Sequence, residues 1–142
     1  MTQASGATDE RWERRWGGLV FQVEWRSVAG DSGSTLRIRP ELPGDRSEDA
    51  REYLRFDCFD ASPHWHLDPQ GLGEVEPLDE RGDPIGECIR LIDGELVCLL
   101  QRAGAPTALT DALARGDADP ARARMLREVE SALHHRPTRL DE

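Results

Sequence analysis

From Leu19 to Val28 the chain alternates: Leu19, Phe21, Val23 and Trp25 point one way, and Gln22, Glu24 and Arg26 point the other. A period of two is that of a half-buried strand. Gly30-Asp31-Ser32-Gly33-Ser34 is a turn cluster of residues that tolerate positive φ. Beyond it, Leu36 and Ile38 alternate with Thr35, Arg37 and Arg39, which completes a hairpin. Pro40, Pro43 and Gly44 end this second strand, and the polar stretch Asp45 to Glu52 is a connection with room for one helical turn. A third strand, Tyr53 to Asp60, turns Leu54, Phe56 and Cys58 inward and Arg55 and Asp57 outward. After Pro63, His64-Trp65-His66-Leu67 alternates again, with Trp65 and Leu67 inward and both histidines outward. The glycine and proline content of Pro69 to Pro84 is that of a loop.

The pattern then changes period. Asp83 as N-cap, Pro84 at the first helical position and Gly104 just past the end bracket a helix. Ile85, Cys88, Ile89, Ile92, Leu96, Leu99, Leu100 and Ala103 form its apolar stripe. Asp93-Gly94 between apolar runs is also a hairpin signal. The helix is favoured, because Gly94 falls opposite the stripe, where it costs only about 1 kcal/mol of propensity. A short helix from Thr107 to Arg115 follows, and a last one starts at Asp119-Pro120 and runs towards Pro137 with Met125, Leu126, Val129, Ala132 and Leu133 on one face. At the other end of the chain, Arg11 to Trp16 is expected to add a short helical turn with Trp12 and Trp16 on one face.

Strands followed by helices give an α+β class: a small antiparallel sheet of three to four strands packed against C-terminal helices. The expected organisation is a flexible tail with its helical turn over residues 1–17, a single domain over 18–136 and a C-terminal tail over 137–142. At 142 residues, one core is the sensible expectation.

Charge narrows the function classes. There are 28 acidic side chains against 18 basic ones, all 18 of them arginine, for a formal net charge of −10. This balance argues against nonspecific binding to nucleic acid or to an anionic membrane surface. No aliphatic run approaches the roughly twenty residues that span a bilayer, and the first ten residues show no secretory signal. Cys58, Cys88 and Cys98 form no C-x-x-C pair, and their odd number and apolar neighbours read as packing in a reducing cytoplasm. Residues 69–95 carry eight acidic side chains and two arginines, an acidic collar after the histidine pair that is expected to raise histidine pKa values and attract a cation.

The outward residues of the four strands collect Glu24, Arg26, Arg37, Arg39, Arg55, Asp57, His64 and His66 on one polar face. Arginines fork onto carboxylates and phosphates, and imidazole exchanges protons near neutral pH, so Arg37, Arg39, Arg55, Asp57, His64 and His66 are the candidate ligand-binding set. The same residues also suit the solvated side of a two-layer domain. His64-x-His66 places two imidazoles on one side of a strand, and a carboxylate from Asp57, Asp60, Asp68 or Glu74 would complete a site for zinc, iron or manganese, with His64, His66 and Asp68 as the chosen set. The spacing is similar to the first histidine pair of cupin barrels. A cupin needs a further strand histidine, however, and His134 and His135 lie in a predicted terminal helix. No nucleophile elbow surrounds Ser62 or Cys58, and Gly71-Leu72-Gly73 lacks the rest of a phosphate-cradling motif.

The run Arg55-Phe56-Asp57-Cys58-Phe59-Asp60, then Pro63-His64-Trp65-His66, Asp68-Pro69, Asp83-Pro84 and Arg102-Ala103-Gly104-Ala105, resembles an uncharacterised family of small bacterial proteins. The resemblance implies a bacterial cytoplasmic source and a continuous helix through Gly94, and it carries over no catalytic residue. Two functions are therefore expected from different classes. The first is a non-enzymatic binding or accessory protein whose polar sheet face contacts a small molecule, a protein partner or a second copy of itself. The alternative is a small metal-dependent enzyme acting on a carboxylate-bearing metabolite.

Overall fold

A computed structural model describes residues 11–44, 50–78, 82–116 and 119–135 of the chain. Among these residues six strands form one antiparallel meander in the order β1-β2-β3-β4-β5-β6: β1 Arg11–Trp16, β2 Leu19–Val28, β3 Asp31–Pro40, β4 Leu54–Phe59, β5 His64–Leu67 and β6 Glu74–Pro77. Among the described residues three helices follow: α1 Pro84–Arg102, α2 Thr107–Arg115 and α3 Pro120–His134. The α+β class and the packing of sheet on C-terminal helices agree with the sequence pattern. The sheet has six strands rather than three to four.

Both additional strands correct an expectation. Residues 11–16 form a strand, not a helical turn, and pair with β2 from Arg11↔Glu24 to Trp16↔Leu19. Gly17 and Gly18, with φ of 63° and 80°, make the two-residue turn whose twist suits a hairpin. Ala29 and Gly30, with φ of 52° and 85°, do the same between β2 and β3. Residues 31–34 of the anticipated turn cluster therefore belong to β3. Position 33 within β3 takes glycine because a Cβ there would collide with the Cys58 carbonyl of the neighbouring β4. At the other edge, Glu74–Pro77 pairs with β5 inside the region anticipated as loop. Most of the anticipated helical turn in Asp45 to Glu52, the tail before Arg11 and the tail from residue 137 lie outside the described residues.

The helices begin and end where their caps dictate. Asp83 accepts the Gly86 amide at the start of α1, with Pro84 next, and Asp119 accepts the Ala121 amide at the start of α3. Gly104, with φ of 87°, closes α1: its amide bonds Gln101 and the Ala105 amide bonds Leu100, the paired reverse bonds of a left-handed C-cap. Gly94 is helical, so the rival hairpin does not form.

The core lies between one sheet face and the helices. Leu19, Phe21, Leu36, Ile38, Leu54, Phe56 and Leu67 from the sheet meet Cys88, Ile92, Leu99 and Leu100 of α1 and Met125, Val129 and Leu133 of α3. Phe56 and Trp65 stack with ring centres 5.6 Å apart. Cys58 and Cys88 are buried there, whereas Cys98 is exposed, so the packing role expected of all three cysteines holds for two. Burial and the adjacent Cys58 push the Cys88 thiol well above its usual value, which makes it a poor nucleophile. Among the described residues no helix is long and apolar enough to cross a membrane.

Candidate functional site

With the helices on one side of the sheet, register decides what gathers on the other. Directly opposed residues share a face, so two neighbouring rows cross the strands: Glu24↔Thr35↔Asp57↔His64, and Gln22↔Arg37↔Arg55↔His66. Asp57 thus lies opposite His64 and one step from His66. The polar face is dense enough to bury its own members. Gln22, Thr35, Glu52 and Asp57 are all buried, Asp57 to 1% exposure.

Asp57 is the centre. Its Oδ1 accepts from the Thr35 hydroxyl at 2.7 Å and from Arg26 Nη1 at 3.0 Å. Its Oδ2 lies 3.1 Å from His64 Nε2, 3.2 Å from His66 Nε2 and 3.4 Å from Arg55 Nε. Burial pushes the Asp57 carboxyl up, but the Thr35 hydrogen bond and the charges of Arg55, Arg26 and His64 together outweigh it and hold the carboxyl below its ordinary value. The group is an anion at neutral pH.

The imidazoles are oriented from behind. His64 Nδ1 is 2.8 Å from the Ser62 carbonyl oxygen, which can only accept, so Nδ1 carries a proton. Ser62 is itself fixed by Asp31, whose carboxylate accepts the amides of Ala61 and Ser62 at 2.9 and 2.8 Å. In the neutral ring the remaining His64 nitrogen then aims a lone pair at a carboxylate oxygen. Two acceptors 3.1 Å apart need a proton or a metal ion between them. His66 faces a related conflict. Its Nε2 is 3.1 Å from Arg55 Nη2, a donor, and 3.2 Å from Asp57 Oδ2, an acceptor, and one ring nitrogen cannot satisfy both. Burial, followed by the charge of Arg55, lowers the His66 pKa, and Asp57 offsets only part of this.

A metal ion held between these atoms would give the imidazole lone pairs that face Asp57 Oδ2 a common partner. Asp57, His64 and His66 each offer a ligand atom, and these atoms lie within 4.8 Å of one another. An ion bonded at about 2.0–2.2 Å spaces adjacent ligands roughly 3.0–3.6 Å apart, which brackets the 3.1 and 3.2 Å separations of Asp57 Oδ2 from the two imidazole nitrogens. The backbone bond behind His64 is the support that a metal-bound imidazole ordinarily has.

The rest of the anticipated set divides. Arg37 and Arg39 are on the same face, but both guanidinium groups are engaged by Glu52 Oε2, at 3.0 and 3.1 Å, with Glu24 and Gln22 as further partners. Asp68, chosen from the strand spacing as third ligand, is elsewhere. The chain leaves the sheet at Asp68, with φ of 51°, and its carboxylate accepts the Leu72 amide and pairs with Arg51 at 2.8 Å. Asp57, among the alternatives, is the carboxylate that joins the histidines. Among the described residues of the acidic collar, the two on the strand beside the histidines do not face the imidazoles. Glu74 and Glu76 pair with Leu67 and Trp65, so they share the opposite face, and the His66 pKa is lowered rather than raised.

Glu52, Thr35 and Asp31 were not singled out from the sequence. Glu52 precedes β4 in a polar connection and carries no periodic signal, while the roles of Thr35 and Asp31 exist only through pairing. A cleft of about 620 Å³ opens at the end of the sandwich, lined by Trp25, Ser34, Cys58, Ile85 and Leu133, and neither His64 nor His66 lines it. The polar triad is a surface site, with the His64 side chain 28% exposed.

No curated protein and no solved structure matches the chain. The model of one family, described as "Domain of unknown function (DUF7700)", matches residues 15–132, a span that takes in the sheet from the end of β1 to β6 and all but the end of the helical layer. The chain belongs to the DUF7700 family, a domain with no assigned function.

Proposed function

We propose that this protein binds a divalent transition metal, zinc, iron or manganese, through Asp57, His64 and His66, and that it acts as a non-enzymatic binding or accessory protein through this polar sheet face. One observation carries the reading: with Nδ1 held on the Ser62 carbonyl, His64 turns Nε2 to the buried anionic Asp57 at 3.1 Å, with His66 Nε2 close to the same oxygen. The mixed nitrogen and oxygen donors suit these three metals better than calcium or magnesium. A site on an open sheet face, rather than in a cleft, suits a bound ion presented to a partner or to a small anionic ligand.

The test is elemental analysis of protein purified without a histidine tag, before and after equilibration with each metal. One metal per chain is expected, lost when His64 and His66 are both replaced by alanine while the protein stays folded. A folded wild-type protein that retains no metal overturns the reading. The second reading, a small metal-dependent enzyme acting on a carboxylate-bearing metabolite, is favoured by one feature. Three protein ligands leave coordination positions open, as in catalytic metal sites. Turnover of a carboxylate substrate that disappears with the metal would select it over the binding role.

A further inference from the structure

The metal site contains a charge that a metal would displace. The Arg55 guanidinium lies across it, with Nε 3.4 Å from Asp57 Oδ2 and Nη2 3.1 Å from His66 Nε2, next to two of the three ligand atoms. Its third nitrogen, Nη1, points towards Glu52, 3.8 Å from Oε1, beyond hydrogen-bond distance. Glu52 is buried and unevenly used. Oε2 accepts from both Arg37 and Arg39, while Oε1 is buried and makes no hydrogen bond. A carboxylate oxygen has two lone-pair sites, so an orphaned Oε1 is an acceptor awaiting a donor. The nearby Arg55 Nε is also buried without a hydrogen bond. One side chain is therefore held between two carboxylates and fully satisfies neither.

We propose that Arg55 is a built-in counter-cation of the metal site: it covers Asp57 and His66 when no metal is present, and an incoming divalent ion displaces it onto Glu52 Oε1. This rests on the metal reading above. A guanidinium and a divalent ion cannot occupy the same few ångströms without strong repulsion. A shift of about 1 Å brings Nη1 within hydrogen-bond distance of Oε1. Without metal, Arg55 joins Arg26 in balancing the buried Asp57 carboxylate. With metal, Glu52 gathers Arg37, Arg39 and Arg55. Affinity is then set by competition, and Arg55 and Glu52 act as positioning residues that need not touch the ion.

Calorimetric titration with Zn²⁺ on wild type, Arg55→Met, Glu52→Gln and the double variant tests this. Arg55→Met is expected to tighten binding about tenfold or more, the scale on which supporting groups tune a bound metal. Glu52→Gln is expected to weaken binding when Arg55 is present and to change nothing once Arg55 has been replaced by methionine. That non-additivity is the signature of displacement. Arg55→Lys, which keeps a charge but cannot bridge His66 and Glu52 at once, is expected to tighten binding by less, and it carries the test if the Arg55→Met variant fails to fold. Unchanged or weaker binding in the Arg55 variants, with binding still lost in His64→Ala, overturns the displacement and leaves the metal site standing. If Zn²⁺ binds to neither wild type nor the Arg55 variants, both ideas fall.

Discussion

Replacing Asp57 by asparagine removes one charge and almost no volume, so it isolates what the carboxylate does for this face. The depressed pKa means that the charge removed is present at neutral pH. The introduced carboxamide can keep an oxygen for the Thr35 hydroxyl and can offer an amide hydrogen to an imidazole nitrogen. The loss therefore falls on Arg26, 3.0 Å from Oδ1, and Arg55, 3.4 Å from Oδ2, which lose their shared counter-charge. Breaking a fully buried pair costs about 3–5 kcal/mol. Here the arginine side chains are 25% and 24% exposed and can turn partly to water, which lowers the expectation to about 2–3 kcal/mol. For a chain of this size that corresponds to a melting temperature lower by roughly 6–12 °C. Urea denaturation with a chelator present gives the apo value, and the slope with denaturant should not change. Thr35→Val is the control, expected to cost about 1–1.5 kcal/mol for one hydrogen bond. If Asp57→Asn costs less than about 1 kcal/mol, as an exposed pair would, the carboxylate does not organise this face and the reasoning from its partners is wrong.

Two further substitutions check other parts of the account. Gly94 is an exposed residue within α1 with open space where a Cβ would be, so Gly94→Ala should stabilise the protein by about 0.5–1 kcal/mol in the same urea assay, and a destabilised variant would show that the glycine is required. The amides of Ala61, Ser62 and Ser32 lower the Asp31 pKa against a smaller cost of burial. A carboxyl whose folded pKa is depressed contributes stability that is complete above its unfolded value and is lost as pH falls through the folded one. Stability should therefore fall less steeply below about pH 4 in Asp31→Asn than in wild type. Parallel pH profiles for the two proteins would show that the carboxylate does not hold the turn that orients His64.

The sequence reads well wherever one face is apolar. β2 to β5, α1 and α3 follow from alternation or from an apolar stripe, with caps at Asp83, Asp119 and Gly104. β1 escaped because Trp12 and Trp16, four apart, share a face in a strand as well as in a helix. The signal that separates the two is Gly17-Gly18, a two-residue hairpin turn between alternating runs. β6 is exposed throughout, so it has no apolar face to show and is defined only by pairing with β5. The candidate site was half legible. Alternation put both histidines and Asp57 on one face, but the third ligand is a question of register between β4 and β5. Continuing the alternation to Asp68 fails because the chain turns out of the sheet there. Glu52 illustrates a second limit: its burial comes from guanidinium partners on other strands, and no local pattern marks that.

What surrounds a bound ion bears most directly on the role of Asp57, His64 and His66. X-ray absorption at the zinc edge, on protein carrying one equivalent of Zn²⁺, should show imidazole nitrogen and carboxylate oxygen neighbours at about 2.0–2.2 Å. The imidazole contribution should be lost when His64 and His66 are replaced by alanine. A zinc shell unaltered by that double substitution, or one without imidazole in the wild type, would contradict the assignment of Asp57, His64 and His66 as a metal site.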